Sequence, residues 1–304
     1  MVEILKKGLL TVPVTSEYHK LGRLGVPGGG PMDICSCILA NWLVGNADNA
    51  HVLEATMVLP DLRFQEGRAF AVVGGRCAPV LERAGSRLRI PMNQTIFAQA
   101  GDILTGGPLQ AGLRVYISIS GGFLRADRRP APLSSGDVLP TGEPGIPKKQ
   151  YIRRLPCRIP GEQAVLRVTE GVHAHQFHPD AHALFYHSLY TYLPQSDRMG
   201  IRFSGDIITF LEPYDGNILS EGVIPGDIQV TADGQPILMM ADCQTIGGYA
   251  KIGHVISADL PIAAQLRPGA QVRFRPVLLP EAQAAWRKMQ YLMSSCLSPC
   301  QAPE

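Results

Sequence analysis

Two stretches of the chain concentrate side chains that can move protons or grip anions. Residues 220–229 read SEGVIPGDIQ, and residues 235–253 read QPILMMADCQTIGGYAKIG. In the second, an apolar strand delivers Asp242, Gln244 and Thr245 at its end, and the paired Gly247 and Gly248 let the backbone turn closely. Tyr249 and Lys251 follow two residues apart, which an extended chain places on one side. Lys251 can neutralise an oxyanion, and Asp242 or Glu221 can act on a proton. The bland alternative is a polar turn stabilised by Asp242. Cys243 sits inside this group, and His254 is the one nearby side chain able to activate it as a nucleophile.

Three weaker signals stand apart from it. Residues 196–200, SDRMG, offer Arg198, whose planar fork suits a carboxylate or phosphate; a local tie to Asp197 and the backbone explains the same residues. Residues 25–33, GVPGGGPMD, lead into a helix start, where backbone N–H groups can bind an anion; a tight structural turn is the equal alternative. The motif is neither a Walker A loop nor a dinucleotide fingerprint, and Asp33 there can equally satisfy first-turn N–H groups. His173, His175, His178, His182 and His187 crowd one stretch, but Pro179 turns His178 into a pre-helix residue, and no metal is expected. The cysteine spacings, Cys35 with Cys37 and Cys296 with Cys300, are not those of a zinc site. No Gly-x-Ser-x-Gly elbow occurs.

The elements that must carry these residues are mostly short strands. Residues 69–74, 87–90, 114–120, 165–168, 206–211, 235–241 and 271–276 are β-branched or alternating and close on Gly, Pro or Asp. Helical spacing is confined to residues 31–45, 180–190 and 280–292. Prolines crowd residues 130–160, beside the basic residues Lys148, Lys149, Arg153 and Arg154, and mark an exposed connection. Two β-rich lobes follow, residues 1–145 and 150–304, the second carrying the SEGVIPG and DCQTIGGYAKIG motifs. The 32 glycines and 25 prolines show no period, which excludes collagen and suits many tight turns.

Composition narrows the partners. Twenty-eight basic residues against 26 acidic ones give a net charge of +2, without the clustered basic surplus that a nucleic-acid binder would show. No stretch reaches ~18 consecutive apolar residues, so no transmembrane helix is expected. The N-terminal run lacks the length and cleavage site of a secretory signal. Seven cysteines, an odd number in a long chain, agree with a reducing compartment, and a cytoplasmic location is expected.

Taken together, GVPGGGPMD, LANWLVGNADNAHVLEAT, RVTEG, SDRMGIRF, ILSEGVIPGDIQV, DGQPILMMADCQTIGGYAKIGHVISADLP and QLRPGAQVRF occur here in an order that resembles one family. It is the carboxyltransferase-domain subfamily 2, also called the allophanate hydrolase subunit 2 or KipA-like family, which includes the C component of bacterial 5-oxoprolinase. The resemblance covers nearly the whole chain. It implies a mostly β protein of two cyclophilin-like, barrel-like lobes with a few helices. It also implies an allophanate hydrolase subunit 1-like (KipI-like) partner, and in 5-oxoprolinase a third subunit, for ATP-dependent opening of 5-oxoproline to glutamate. Related readings are a non-catalytic regulatory subunit, or the carboxyltransferase part of a biotin-dependent urea carboxylase system. The implied site comprises Lys251, Asp242 and Glu221 for catalysis. Asp33, Arg198, Gln229, Gln244, Thr245, Gly247, Gly248 and Tyr249 would hold the small-molecule substrate. Three departures from the family pattern stand out. The Asp and Arg usual before GVP are absent from residues 14–21, an Arg-bearing segment looks deleted within residues 123–135, and Ala250 replaces the usual Pro.

Overall fold

A computed structural model describes residues 1–17, 25–124, 131–145 and 150–299. The protein is mostly β, and its residues fall into two compact units that do not follow one another simply in sequence. The first comprises Met1–Tyr18, Gly29–Ile159 and Tyr291–Glu304; the second comprises His19–Gly28 and Pro160–Gln290. This differs from two consecutive lobes meeting between residues 145 and 150. The N-terminal Gly-rich motif is shared between the units, and the C-terminal tail returns to the first.

In the first unit the strands are β1 (Val2–Lys6), β2 (Leu10–Val14), β3 (Val52–Thr56), β4 (Asp61–Phe64), β5 (Arg68–Arg76) and β6 (Val80–Arg83). They continue with β7 (Ser86–Arg89), β8 (Ile96–Ala98), β9 (Ile103–Thr105), β10 (Ala111–Ile119), β11 (Val138–Leu139) and β12 (Gln150–Ile152). One sheet runs β11-β1-β4-β9-β6-β7 and the other β2-β3-β10-β5-β8. A single core, including Ile4, Phe64, Phe70, Val115, Ile117 and Leu104, lies between them. The first unit is thus two sheets packed about one core. Helix α1 (Ile34–Leu43) covers the outer face of the second sheet, so β10 is buried on both faces. Alternation sorts its side chains: Val115, Ile117 and Ile119 enter the core, while Tyr116 and Ser118 reach α1 and its cap.

Helix α1 starts later than the proline predicts. Asp33, not Pro31, sets the boundary: its carboxylate accepts from Ser36 N–H at 3.0 Å and Ser36 Oγ at 2.7 Å. Asn46 fixes the other end, donating to Ile119 O at 2.7 Å and accepting from Gly121 N–H at 2.9 Å.

The second unit is built from β13 (Gln163–Glu170), β14 (Tyr190–Tyr192), β15 (Gly200–Ser204), β16 (Asn217–Gly222) and β17 (Asp227–Val230). It adds β18 (Pro236–Met239), β19 (Ile246–Tyr249), β20 (Lys251–Val255) and β21 (Gln271–Pro276). Seven of these close a barrel in the order β13-β20-β17-β18-β15-β14-β21. The seam between β13 and β21 is parallel. Phe185 of helix α2 (Pro179–His187) stacks on Phe274 inside it, ring centroids 4.7 Å apart. The remaining pair, β16 and β19, forms a two-stranded ribbon of its own. Residues 206–211, expected as a strand, contribute only an isolated bridge, Phe177 to Phe210. A short helix α3 (Leu260–Ala264) precedes β21, and helix α4 (Leu279–Ser295) follows it. The final strand, β22 (Leu297–Pro299), pairs with β12 and anchors the tail to the first unit.

No described helix is long and apolar enough to cross a membrane. Residues 18–21 and 125–130, where two departures from the family pattern fall, lie outside the described residues, as do Lys148, Lys149 and Cys300.

Candidate active site

The site forms where the ribbon meets the barrel. Strands β17 and β20 pair with Asp227 opposite His254 and Gln229 opposite Lys251. Lys251 opens β20, and its side chain is one-tenth exposed. It donates to Gly222 O at 2.6 Å, and its Nζ lies 2.8 Å from Glu221 Oε1 and 3.2 Å from Asp227 Oδ2. Gly222 O takes one N–H group as a hydrogen bond, and the two carboxylates neutralise the ammonium as ion pairs. His254 Nδ1 lies 2.9 Å from the other Asp227 oxygen. His173 accepts the Lys251 backbone N–H on Nδ1 at 3.2 Å, so its neutral ring carries the proton on Nε2, which faces Glu221 Oε2 at 3.7 Å. The result is a continuous array: His173, Glu221, Lys251, Asp227, His254.

The array's electrostatics follow from burial and contact. Burial opposes the Lys251 charge, but Glu221 and Asp227 outweigh it and hold the ammonium pKa above the ordinary lysine value. Burial likewise opposes the Asp227 carboxylate, yet the His254 hydrogen bond, the Ile224 N–H and Lys251 bring its pKa below the ordinary value. Burial depresses His173, with Lys251 adding to the effect and Glu221 opposing it. Lys251 is thus a fixed cation, not a base. Two carboxylates against one ammonium leave the array net negative while both imidazoles are neutral. An incoming anion or carbonyl oxygen can reach Lys251 only by displacing an acceptor. Glu221, 37% exposed on the ribbon, is the replaceable one, since Asp227 is 9% exposed inside the barrel wall.

A second group lies on the loop after β18. Arg198 grips Asp242 with both arms of its fork, Nε to Oδ2 at 2.7 Å and an η nitrogen to Oδ1 at 3.0 Å. Asp242 N–H also donates to Arg198 O at 2.9 Å. Asp242 is thus the partner of Arg198, in place of the local tie between Arg198 and Asp197 offered as the alternative. Asp197 instead caps the turn through the Met199 and Gly200 N–H groups. Gln244 donates to Gln229 Oε1 at 3.5 Å, and Gln229 donates to Tyr249 O at 3.4 Å. Gly247 is required beneath them: a Cβ there would lie 2.7 Å from Gln229 Nε2 and 2.9 Å from Val223 Cγ2. Gly248 runs beside Ser220 on the opposite ribbon strand. Thr245 O accepts the Val223 N–H at 3.0 Å, and its hydroxyl lies 4.0 Å from where a Gly25 Cβ would stand.

Tyr249 and Lys251 do not share a side. The chain passes from ribbon to barrel at Ala250, whose N–H donates to Gly216 O at 2.9 Å, a bond that proline cannot make. Tyr249 stays on the exposed ribbon and Lys251 enters the barrel wall. Burial, then Asp227 and Asp242, push the Cys243 thiol up to about 11, which disfavours the thiolate a nucleophile needs.

Asp33 belongs to the first unit. It is buried as the cap of α1. The N–H groups around it are also spoken for: Met32 N–H donates to Glu54 Oε2 at 2.8 Å and Asp33 N–H to Tyr116 Oη at 2.7 Å. The Gly-rich motif therefore makes a structural turn here. With the Glu54 carboxylate facing these donors, the turn does not fit the phosphates of ATP. Two other histidines of the cluster have local roles. His178 accepts from Asp180 N–H as the α2 cap, and His187 contacts Ala183 O. Among the described residues no group of His, Cys, Asp and Glu is placed to hold a metal.

Sequence reasoning does not single out Asp227 and His173 for this site, and it offers His254 only as a partner of Cys243. Asp227 has a signal, since it stands two residues before Gln229 in an extended run. His254 is recognisable only once β17 and β20 are in register, and His173 only once the turn after β13 is folded back.

Comparison with known proteins agrees with this architecture. The family described as "Carboxyltransferase domain, subdomain A and B" matches residues 24–276. The chain is 30% identical to the C component of 5-oxoprolinase from Escherichia coli strain K12, over 95% of this chain and 96% of that protein. It is 31% identical to the corresponding 5-oxoprolinase component of Haemophilus influenzae, over 95% of each. The crystal structure of urea amidolyase from K. lactis superposes with a TM-score of 0.86 at 26% identity, covering 96% of this chain and 20% of that much longer one. The chain thus belongs to the carboxyltransferase-domain family of subdomains A and B, whose members include the C component of 5-oxoprolinase.

Proposed function

We propose that this chain is one component of an ATP-dependent ring-amide hydrolase of the 5-oxoprolinase type, opening 5-oxoproline to glutamate. The observation that carries the reading is the end-to-end match to two proteins named as the C component of 5-oxoprolinase. The array around Lys251 supplies the chemistry. A substrate carboxylate or ring carbonyl oxygen displaces Glu221 from Lys251, which then holds the developing negative charge. Glu221, released beside His173, is positioned to accept a proton. Asp227, oriented by His254, keeps Lys251 charged and aimed. The Gln229 and Gln244 amides pack against Gly247, and the Arg198–Asp242 fork holds the loop after β18. ATP enters through a partner protein. The KipI-like protein is the proposed partner, and a third subunit makes up the full complex.

Reconstitution tests this. The chain, its subunit 1-like partner and the third subunit are combined with ATP and 5-oxoproline, and glutamate release is followed with each component omitted in turn. Glutamate should appear only when this chain is present, and Lys251→Ala should lower the rate by ~100-fold or more. A stable complex without turnover would overturn the enzyme reading and leave a regulatory subunit. The family's carboxyltransferase description favours one other reading, transfer of a carboxyl group from biotin to a urea-like acceptor. It predicts activity with a carboxylated biotin carrier and urea, and none with 5-oxoproline.

A further inference from the structure

Away from the Lys251 array, the first unit holds two cysteines in contact. Cys35 lies in the first turn of α1, two positions beyond its cap Asp33, and is 2% exposed. Cys157 lies in the irregular run after β12 and is partly exposed. Although 122 positions separate them, their Sγ atoms are 3.4 Å apart, and both are thiols. A disulfide needs the sulfurs ~2.05 Å apart. The irregular backbone around Cys157 can supply that movement, since no strand or helix holds it. Every other cysteine among the described residues is buried, so an aqueous oxidant meets Cys157 first. Cys35 is poorly reactive alone: the hydrogen bond from Cys157, then burial, raise its thiol well above the ordinary value.

We propose that Cys35 and Cys157 form a reversible disulfide with hydrogen peroxide as oxidant, a redox-modification site within the first unit. The Cys157 sulfur attacks peroxide and becomes a sulfenic acid as the O–O bond breaks and one water leaves. The Cys35 sulfur then attacks Cys157, its proton leaving with the hydroxyl as a second water. The two sulfurs together give up the two electrons that reduce the peroxide. A small thiol such as glutathione reverses the bond by exchange. The link ties the run leaving this unit to the turn that Asp33 caps, and it closes a long loop, which stabilises chiefly by restricting the unfolded chain.

The test treats the full-length protein with peroxide, blocks remaining thiols with one maleimide, reduces, and labels again with a heavier one. Cys35 and Cys157 should carry only the second label. Their linked peptide should be lighter by about 2 Da than the two thiols, and dithiothreitol should abolish it. The melting midpoint should rise by several degrees on oxidation. Cys157→Ser should remove both effects while melting like the reduced wild type, and Cys35→Ser should leave Cys157 as a sulfenic acid that dimedone traps. First-label modification of both residues after peroxide would overturn the proposal. So would a link from Cys157 to Cys296 or Cys300 with Cys35 still reduced.

Discussion

Two polar nodes, one in each unit, use nearly the same ingredients for opposite ends. In the first unit Glu54 is wholly buried, with Arg114 Nε 3.6 Å away, Tyr116 Oη at 2.7 Å and Met32 N–H at 2.8 Å. In the second, Glu221 shares Lys251 with Asp227, but its own side chain is 37% exposed. Both nodes pair a carboxylate with a buried cation and a backbone group. The difference is solvent access. Glu54 is held between α1 and β10 and cannot leave, so it clamps the Gly-rich turn. Glu221 sits on a two-stranded ribbon and can leave, so the cation behind it can meet a ligand. Composition does not separate a clamp from a site; the exposure of one carboxylate does.

The comparison can be broken most forcefully at Glu54. Glu54→Ala leaves a buried guanidinium, a phenol and an N–H short of an acceptor, and should cost ~3–5 kcal/mol in urea unfolding. A loss below about 1 kcal/mol would mean that the clamp is not structural. Next is Lys251→Met, which removes charged hydrogen bonds from Asp227 and should cost ~1.5–3 kcal/mol while removing turnover of the reconstituted complex. Full activity with that variant would end the case for the array. Gly226→Ala comes third. Gly226 has φ +107°, and a Cβ would lie 2.6 Å from His254 Cε1. The strain should cost ~1–3 kcal/mol and separate His254 from Asp227, seen as a changed His254 imidazole chemical shift. The smallest stability effect belongs to Glu221→Gln, under ~1 kcal/mol, because that group is the exposed partner. Equal losses for Glu221→Gln and Glu54→Ala would erase the contrast between the nodes.

pH sharpens the same contrast. Asp227, lowered from 3.8, contributes stability that is complete above 3.8 and lost as pH falls through its folded value. Lys251, raised from 10.5, contributes stability that is complete below 10.5 and lost as pH rises through its folded value. Neither acts near neutrality. His173, lowered from 6.5, contributes stability present above 6.5 and lost as pH falls through its folded value. Melting midpoints should therefore slope downward from pH 7 to pH 5 more in the wild type than in His173→Ala. Parallel slopes would remove His173 from the array.

Much of this is legible in the chain itself. Alternation in β10 and β21, the strand before Asp242 and the paired glycines at 247 and 248 all write their positions locally, because a strand needs only a period of two and a turn only its glycine. The pairing of Glu221 with Lys251 is within reach, since both residues are candidates for chemistry on their types alone. What the chain alone leaves open falls where a partner is distant. Asp242 reads as a proton carrier until Arg198, 44 positions away, is seen to face it. Asp33 reads as a ligand group until Glu54 and Tyr116 fill the turn. The lobes read as consecutive because a C-terminal strand pairs with β12 only in three dimensions.

The sequence by itself determined the mostly β character, the helix around Cys35, and the motif that carries Lys251. It did so through short-range periodicity and turn chemistry, which depend on neighbours in the chain. The tertiary structure alone decided which carboxylate is buried and which is exposed, which acid Arg198 binds, and which thiol Cys35 touches. Those outcomes depend on strand register, and register is set by the packing of the whole barrel and the paired sheets.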